Sequence, residues 1–164
     1  MHANQPTNQP TNQRFMRDAI LEAENGIKKG HGGPFGAVIV KENKIIGRGH
    51  NKVFKENNPT LHGEMVAITD ACKNLKTFDL QGCDIYTTGE PCPMCLCALM
   101  WANIENIYYG CTIKDNEIIG FRDDKLNSIL NIDRKKITNL HELDRNACLA
   151  LFDKYNNTKD KRNY

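Results

Sequence analysis

The chain has 164 residues, 40% of them hydrophobic and 26% charged, with a formal net charge of +2. Those figures allow one domain with a real core and exclude a fibrous or wholly disordered chain. So small a charge counts against a nucleic-acid partner. No apolar run is long enough to span a bilayer or act as a secretory signal, so the expected location is cytoplasmic.

Residues 4–13 repeat Asn-Gln-Pro-Thr with no apolar side chain to bury, so residues 1–13 are expected to be disordered and residues 14–164 to form one domain. From Arg14, Phe15, Ile20, Ala23 and Ile27 fall at helical intervals, with Gly30 as a stop. Phe35 to Val40 is a β-branched apolar run, followed by Lys41-Glu42-Asn43-Lys44 and Ile45-Ile46-Gly47, which reads as a hairpin. Asn58-Pro59 breaks the chain and offers Thr60 as the N-cap of a second helix. Met65, Ile68, Ala71, Cys72 and Leu75 would mark one face of that helix, with His62 in its first turn.

A third strand is expected over residues 84–88. Pro93 suits the first position of a helix ending near Asn103, and a fourth strand should occupy residues 104–111. Beyond Ile113 the pattern predicts a short helix at 125–130, a strand near Ile137-Thr138 and a helix over 143–155. Strands and helices alternating at these lengths imply a sheet with helices on its faces, an α/β fold.

Two motifs carry chemistry. His62-Gly63-Glu64 is followed by Pro91-Cys92-Pro93-Met94-Cys95. Cys92 and Cys95 stand three apart at a helix start, so their sulfurs share a face, and the helix dipole favours thiolate there. With His62 they make three metal ligands for one Zn2+ per subunit. Structural zinc sites use four protein ligands and catalytic ones three, so the count points to catalysis. Glu64 lies two residues from His62, about 200° around a helix, and so does not simply join it as a fourth ligand. The other cysteines, at 72, 83, 97, 111 and 148, read as packing in a reducing compartment. His31 and His50 have no ligand company.

The pattern His-x-Glu, then Pro-Cys-x-x-Cys, resembles the signature of the cytidine and deoxycytidylate deaminase superfamily. That resemblance implies a three-layer α/β/α sandwich with a five-stranded mixed sheet. It also implies zinc and a proton-shuttling role for Glu64 in hydrolytic deamination. The segments Gly32 to Val40, Asn51, Asn58-Pro59-Thr60 and Glu90 to Leu96, with Gly120-Phe121-Arg122-Asp123-Asp124 and the terminal tyrosine, are similar to bacterial guanine deaminases. On that likeness Asn51 would bind the base, Phe35 and Gly63 would line its pocket, Asp123 would read the purine edge and Tyr164 would close over it.

The likeness further implies a free nucleobase as substrate, guanine foremost, and a homodimer with its C-terminal segments exchanged. Glycine between His62 and Glu64, with Gly47-Arg48-Gly49-His50-Asn51, also resembles fungal cytosine deaminase, which makes cytosine an alternative. The tRNA adenosine deaminases share the zinc motifs.

Overall fold

In the computed structural model of the chain, which describes residues 9–159 and 161–164, five strands form one mixed sheet in the order β2-β1-β3-β4-β5. The expected hairpin joins β1 (Gly36–Lys41) to β2 (Lys44–His50) through Glu42 and Asn43, both at positive φ (49° and 61°). That is the backbone of a type I′ turn, whose twist matches that of the strands. β1 also pairs antiparallel with β3 (Asp84–Gly89). β3 runs parallel to β4 (Asn106–Cys111), and β4 parallel to β5 (Leu140–Glu142). Parallel neighbours need a crossover, and α4 (Pro93–Trp101) supplies the one between β3 and β4.

Alternation along the strands sends side chains to two cores. Val38, Val40 and Tyr86 pack with Phe15, Met16 and Ala19 of α1 (Gln9–Lys28) and with Cys148, Leu151 and Phe152 of α7 (Arg145–Asn156). Ala37, Ile39, Ile85 and Ile107 point the other way, to Ala67 and Ala71 of α3 (Gly63–Leu75) and Leu96 and Leu99 of α4. Both faces are thus covered, which is the expected α/β/α sandwich with a mixed sheet.

Several boundaries differ from those expected. α1 begins at Gln9, inside the segment expected to be disordered. Pro10 falls in its first turn, where a missing N–H costs nothing, and Asn12 Oδ1 accepts a hydrogen bond from Tyr86 Oη at 3.0 Å. The rest of that segment, residues 1–8, lies outside the described residues. Thr60 does not cap α3: its N–H and hydroxyl both donate to Asn58 Oδ1 (2.9 and 2.7 Å) in a local turn, and His62 takes the N-cap position instead.

The last strand lies at Leu140–Glu142 rather than near Ile137, because Arg134–Lys136 forms a 3₁₀ turn and Leu140 is the residue that reaches Ile107. Three short helices complete the chain: α2 (Val53–Glu56), α5 (Ile113–Ile118) and α6 (Asp123–Ile129). All seven cysteines are free. Cys97 is exposed rather than packed. Among the described residues no helix is long and apolar enough to cross a membrane.

Candidate metal centre and active site

One end of the sheet gathers the residues that the motifs single out. It holds the end of β2 at His50, the start of β1 after Phe35, and the ends of β3 and β4 at Gly89 and Cys111. α3 and α4 both start there. His62 and Cys92 occupy their N-cap positions with extended backbones (ψ 161° and 168°), and Pro93 stands at the first position of α4. The positive ends of two helices therefore converge on one point, which favours negative charge.

His62, Cys92 and Cys95 form the one group of three potential ligands found among the described residues. His62 Nδ1 lies 3.6 Å from Cys92 Sγ and 3.5 Å from Cys95 Sγ. Zinc bonds of roughly 2.3 Å to sulfur and 2.05 Å to nitrogen at the tetrahedral angle would set those atoms roughly 3.6 Å apart, so the three side chains fit the ion. The acid chemistry agrees. The neighbouring Cys95 thiol, followed by His62, holds the Cys92 thiol down to about 4 against the effect of burial. The same contact and burial push Cys95 well above its ordinary value. His62 is raised despite its burial, first by its hydrogen bond to Cys92 and then by the charges of Cys92, Glu64 and Asp123.

Glu64, the second residue of α3, is 5% exposed, and burial pushes its carboxyl up to about 7. Gly63 packs on the backbone of Phe35: a Cβ at position 63 would lie 2.9 Å from the Phe35 carbonyl oxygen. Glycine between the histidine and the glutamate is therefore a packing requirement of this site. Phe35 is a buried anchor, edge-on to Phe121 (4.8 Å between centroids) and Phe152 (5.6 Å). Its carbonyl also accepts the backbone N–H of Asn51 at 2.9 Å.

Asn51 is fully buried. Its Oδ1 accepts the Val53 N–H at 3.1 Å, and its Nδ2 donates to Tyr164 Oη. The Tyr164 ring lies 5.7 Å from His62, 5.1 Å from Phe121 and 5.6 Å from Phe54, and burial pushes its phenol up. Within the chain, the tail thus closes over the site that its own residues build. Asp123, the first residue of α6, completes the ring, with its carboxyl raised by burial and by the Cys92 charge.

The structure adds residues to which the motifs gave no role. Phe121 touches both Phe35 and Tyr164. Asn116 donates to Asp123. Arg134 grips Glu90 and the Pro91 carbonyl beside Cys92. One usable signal was present, since Thr112-x-x-Asp115 is a capping box that announces α5. His31 and His50, which belong to no group of metal ligands among the described residues, meet at 2.8 Å between Nδ1 and Nε2.

A model of the cytidine and deoxycytidylate deaminase zinc-binding region matches residues 9–111. The chain belongs to that family of zinc-dependent hydrolytic enzymes. It is 45% identical to the guanine deaminase of Bacillus subtilis over 111 residues, which cover 68% of this chain and 71% of that one. It is 44% identical to the tRNA-specific adenosine deaminase of Aquifex aeolicus over 100 residues, 61% of this chain and 66% of that one. Among solved structures, the Bacillus subtilis guanine deaminase superposes with a TM-score of 0.70 at 37% identity, covering 93% of this chain and 98% of that one.

Proposed function

We propose that the chain deaminates a free purine base, guanine foremost, with water as co-substrate and ammonia and the oxo-base (xanthine from guanine) as products. The observation that carries this reading is Tyr164, which lies over His62 and against Phe54, Phe121 and Asn51. A cleft closed by the Tyr164 ring suits a substrate small enough to be enclosed. The similarity to the Bacillus guanine deaminase supports the choice of base.

His62, Cys92 and Cys95 would hold one zinc, which when bound activates a water as nucleophile. Glu64 takes a proton from that water as its oxygen adds to the ring carbon bearing the amine. It returns the proton to the adjacent ring nitrogen, then carries the second proton to the amine as the carbon–nitrogen bond breaks and ammonia leaves. Asn51 and Asp123 orient the base from two sides with fixed hydrogen-bonding groups. Phe35, buttressed by Phe121 and Phe152, and Gly63 shape the floor.

A second reading, deamination of adenosine in tRNA, is favoured by the Aquifex relative; it requires Tyr164 to move aside for a polynucleotide. Ammonia release from guanine, adenine, cytosine, their nucleosides and tRNA separates the readings. Guanine is expected to exceed every other substrate at least tenfold in kcat/KM. Inosine formation in tRNA without turnover of any free base would overturn the proposal. We place the enzyme in the cytoplasm as a homodimer, which sedimentation would check.

A further inference from the structure

Asn116, near the end of α5, is 1% exposed. Its Nδ2 donates to Asp123 Oδ2 at 2.8 Å and approaches the Glu90 carbonyl oxygen at 3.4 Å. Its Oδ1 is the single buried side-chain polar atom without a partner among the described residues. That oxygen faces Gly89, where a Cβ would come within 3.0 Å of it. A buried acceptor left unmet is destabilising, so a residue chosen for stability alone would not be an amide here. Leucine has the same branching and the same number of heavy atoms, and it carries no acceptor to leave unmet. The feature that leucine lacks is the N–H directed at Asp123.

We propose that Asn116 is a positioning residue for Asp123, fixing its carboxylate so that Oδ2 is occupied within the protein and Oδ1 is left to accept an N–H from the bound base. This deepens the free-base reading above and rests on it. Asp123 needs such a guide. It starts a helix of only seven residues, and its N-cap, Arg122, makes no side-chain cap bond. The Asn116 N–H also favours the carboxylate over the acid, opposing burial and the Cys92 charge. The base therefore meets a fixed acceptor, which selects a ring edge that presents donors.

The test uses the full-length zinc-loaded enzyme with the base that the ammonia panel identifies. Asn116→Leu is expected to raise KM at least tenfold and to weaken calorimetric binding of the deaminated product by a similar factor. kcat should stay within threefold of its starting value and zinc content should be unchanged. Asn116→Asp, which keeps the shape but puts an acceptor where the donor was, should raise KM at least as much and covers the case in which the leucine variant folds poorly. In an Asp123→Ala background, adding Asn116→Leu should change KM no further. An active enzyme whose Asn116 variants keep the original KM, or whose double variant loses as much again, overturns the inference alone. Absence of turnover on every free base overturns the reading beneath it and the inference with it.

Discussion

Glu64 can be made permanently neutral without changing its shape, so Glu64→Gln separates proton transfer from metal holding. The expected result is a loss of kcat of roughly 10²–10⁴-fold, the usual scale for a general acid–base group, with metal content by elemental analysis unchanged. Activity within a few-fold of the starting enzyme would remove Glu64 from its role. The grouping of His62, Cys92 and Cys95 was legible in the sequence because few residue types bind zinc through nitrogen or sulfur, and because two ligands on one helix turn need a fixed spacing; Glu64 drew its role from the family resemblance alone. Asn116 and Arg134 were not legible. Each acts through a partner (Asp123, seven residues on, and Glu90, 44 residues back), and nothing local marks an asparagine or arginine that will meet it.

Elements carry this site by being tied to one another at the end of the sheet. Arg134, in the 3₁₀ turn, donates to Glu90 Oε1 at 3.0 Å, to the Pro91 carbonyl at 2.9 Å and to Asn127 Oδ1 at 2.7 Å. It thereby links the Cys92 loop to α6. Its side chain is 15% exposed and that of Glu90 8%, so removing the guanidinium strands a buried carboxylate. Arg134→Met should cost roughly 3–5 kcal/mol, which at roughly 2–4 °C per kcal/mol lowers Tm by about 6–20 °C. Adding Glu90→Gln should recover part of that loss in the same thermal melts. A second tie joins α1 to β2, where the hydrogen bond from His50 and the charges of His50 and Arg48 hold Glu22 below the ordinary carboxylate range against burial. The unfolded chain therefore protonates Glu22 at a higher pH than the folded one. Its stabilising contribution is full above the ordinary range and is lost as pH falls through the lowered value. Urea midpoints of the parent and of Glu22→Gln should differ at pH 6 and converge toward pH 3; a constant gap would contradict the tie. The hairpin, α3 and α4 were readable because turn residues and apolar periodicity are local signals. β5 was misplaced because three residues at a sheet edge are fixed by β4, which is distant in sequence.

Across the whole molecule, the completed cleft depends on the last residues returning to a site built from residues 35–123. That return is invisible to local pattern, because the tail contains no apolar run and only its contacts give it a place. Several contacts hold it, on both sides of the cleft. Tyr155 Oη donates to the Arg162 carbonyl, the Arg162 guanidinium stacks 4.0 Å from the Phe54 ring centre, and Tyr164 packs over His62 and accepts from Asn51. Little of the two cores touches the tail: Tyr164 packs only at the margin of the one beneath α1 and α7. Deleting residues 161–164 should therefore cost only about 1–2 kcal/mol, a fall in Tm of about 2–8 °C, as the margin of that core and the Asn51 amide become exposed. Without the closing ring, however, the base is held from fewer sides and water is not excluded, so kcat/KM for the free base should fall at least tenfold, chiefly through KM. Tyr164→Phe, which keeps the ring and loses the hydroxyl that meets Asn51, should fall between the two. Steady-state kinetics on the three proteins decide the matter. Unchanged constants in the truncated chain would mean that the tail rests on the site without taking part in it, and the case for a small enclosed substrate would lose its support.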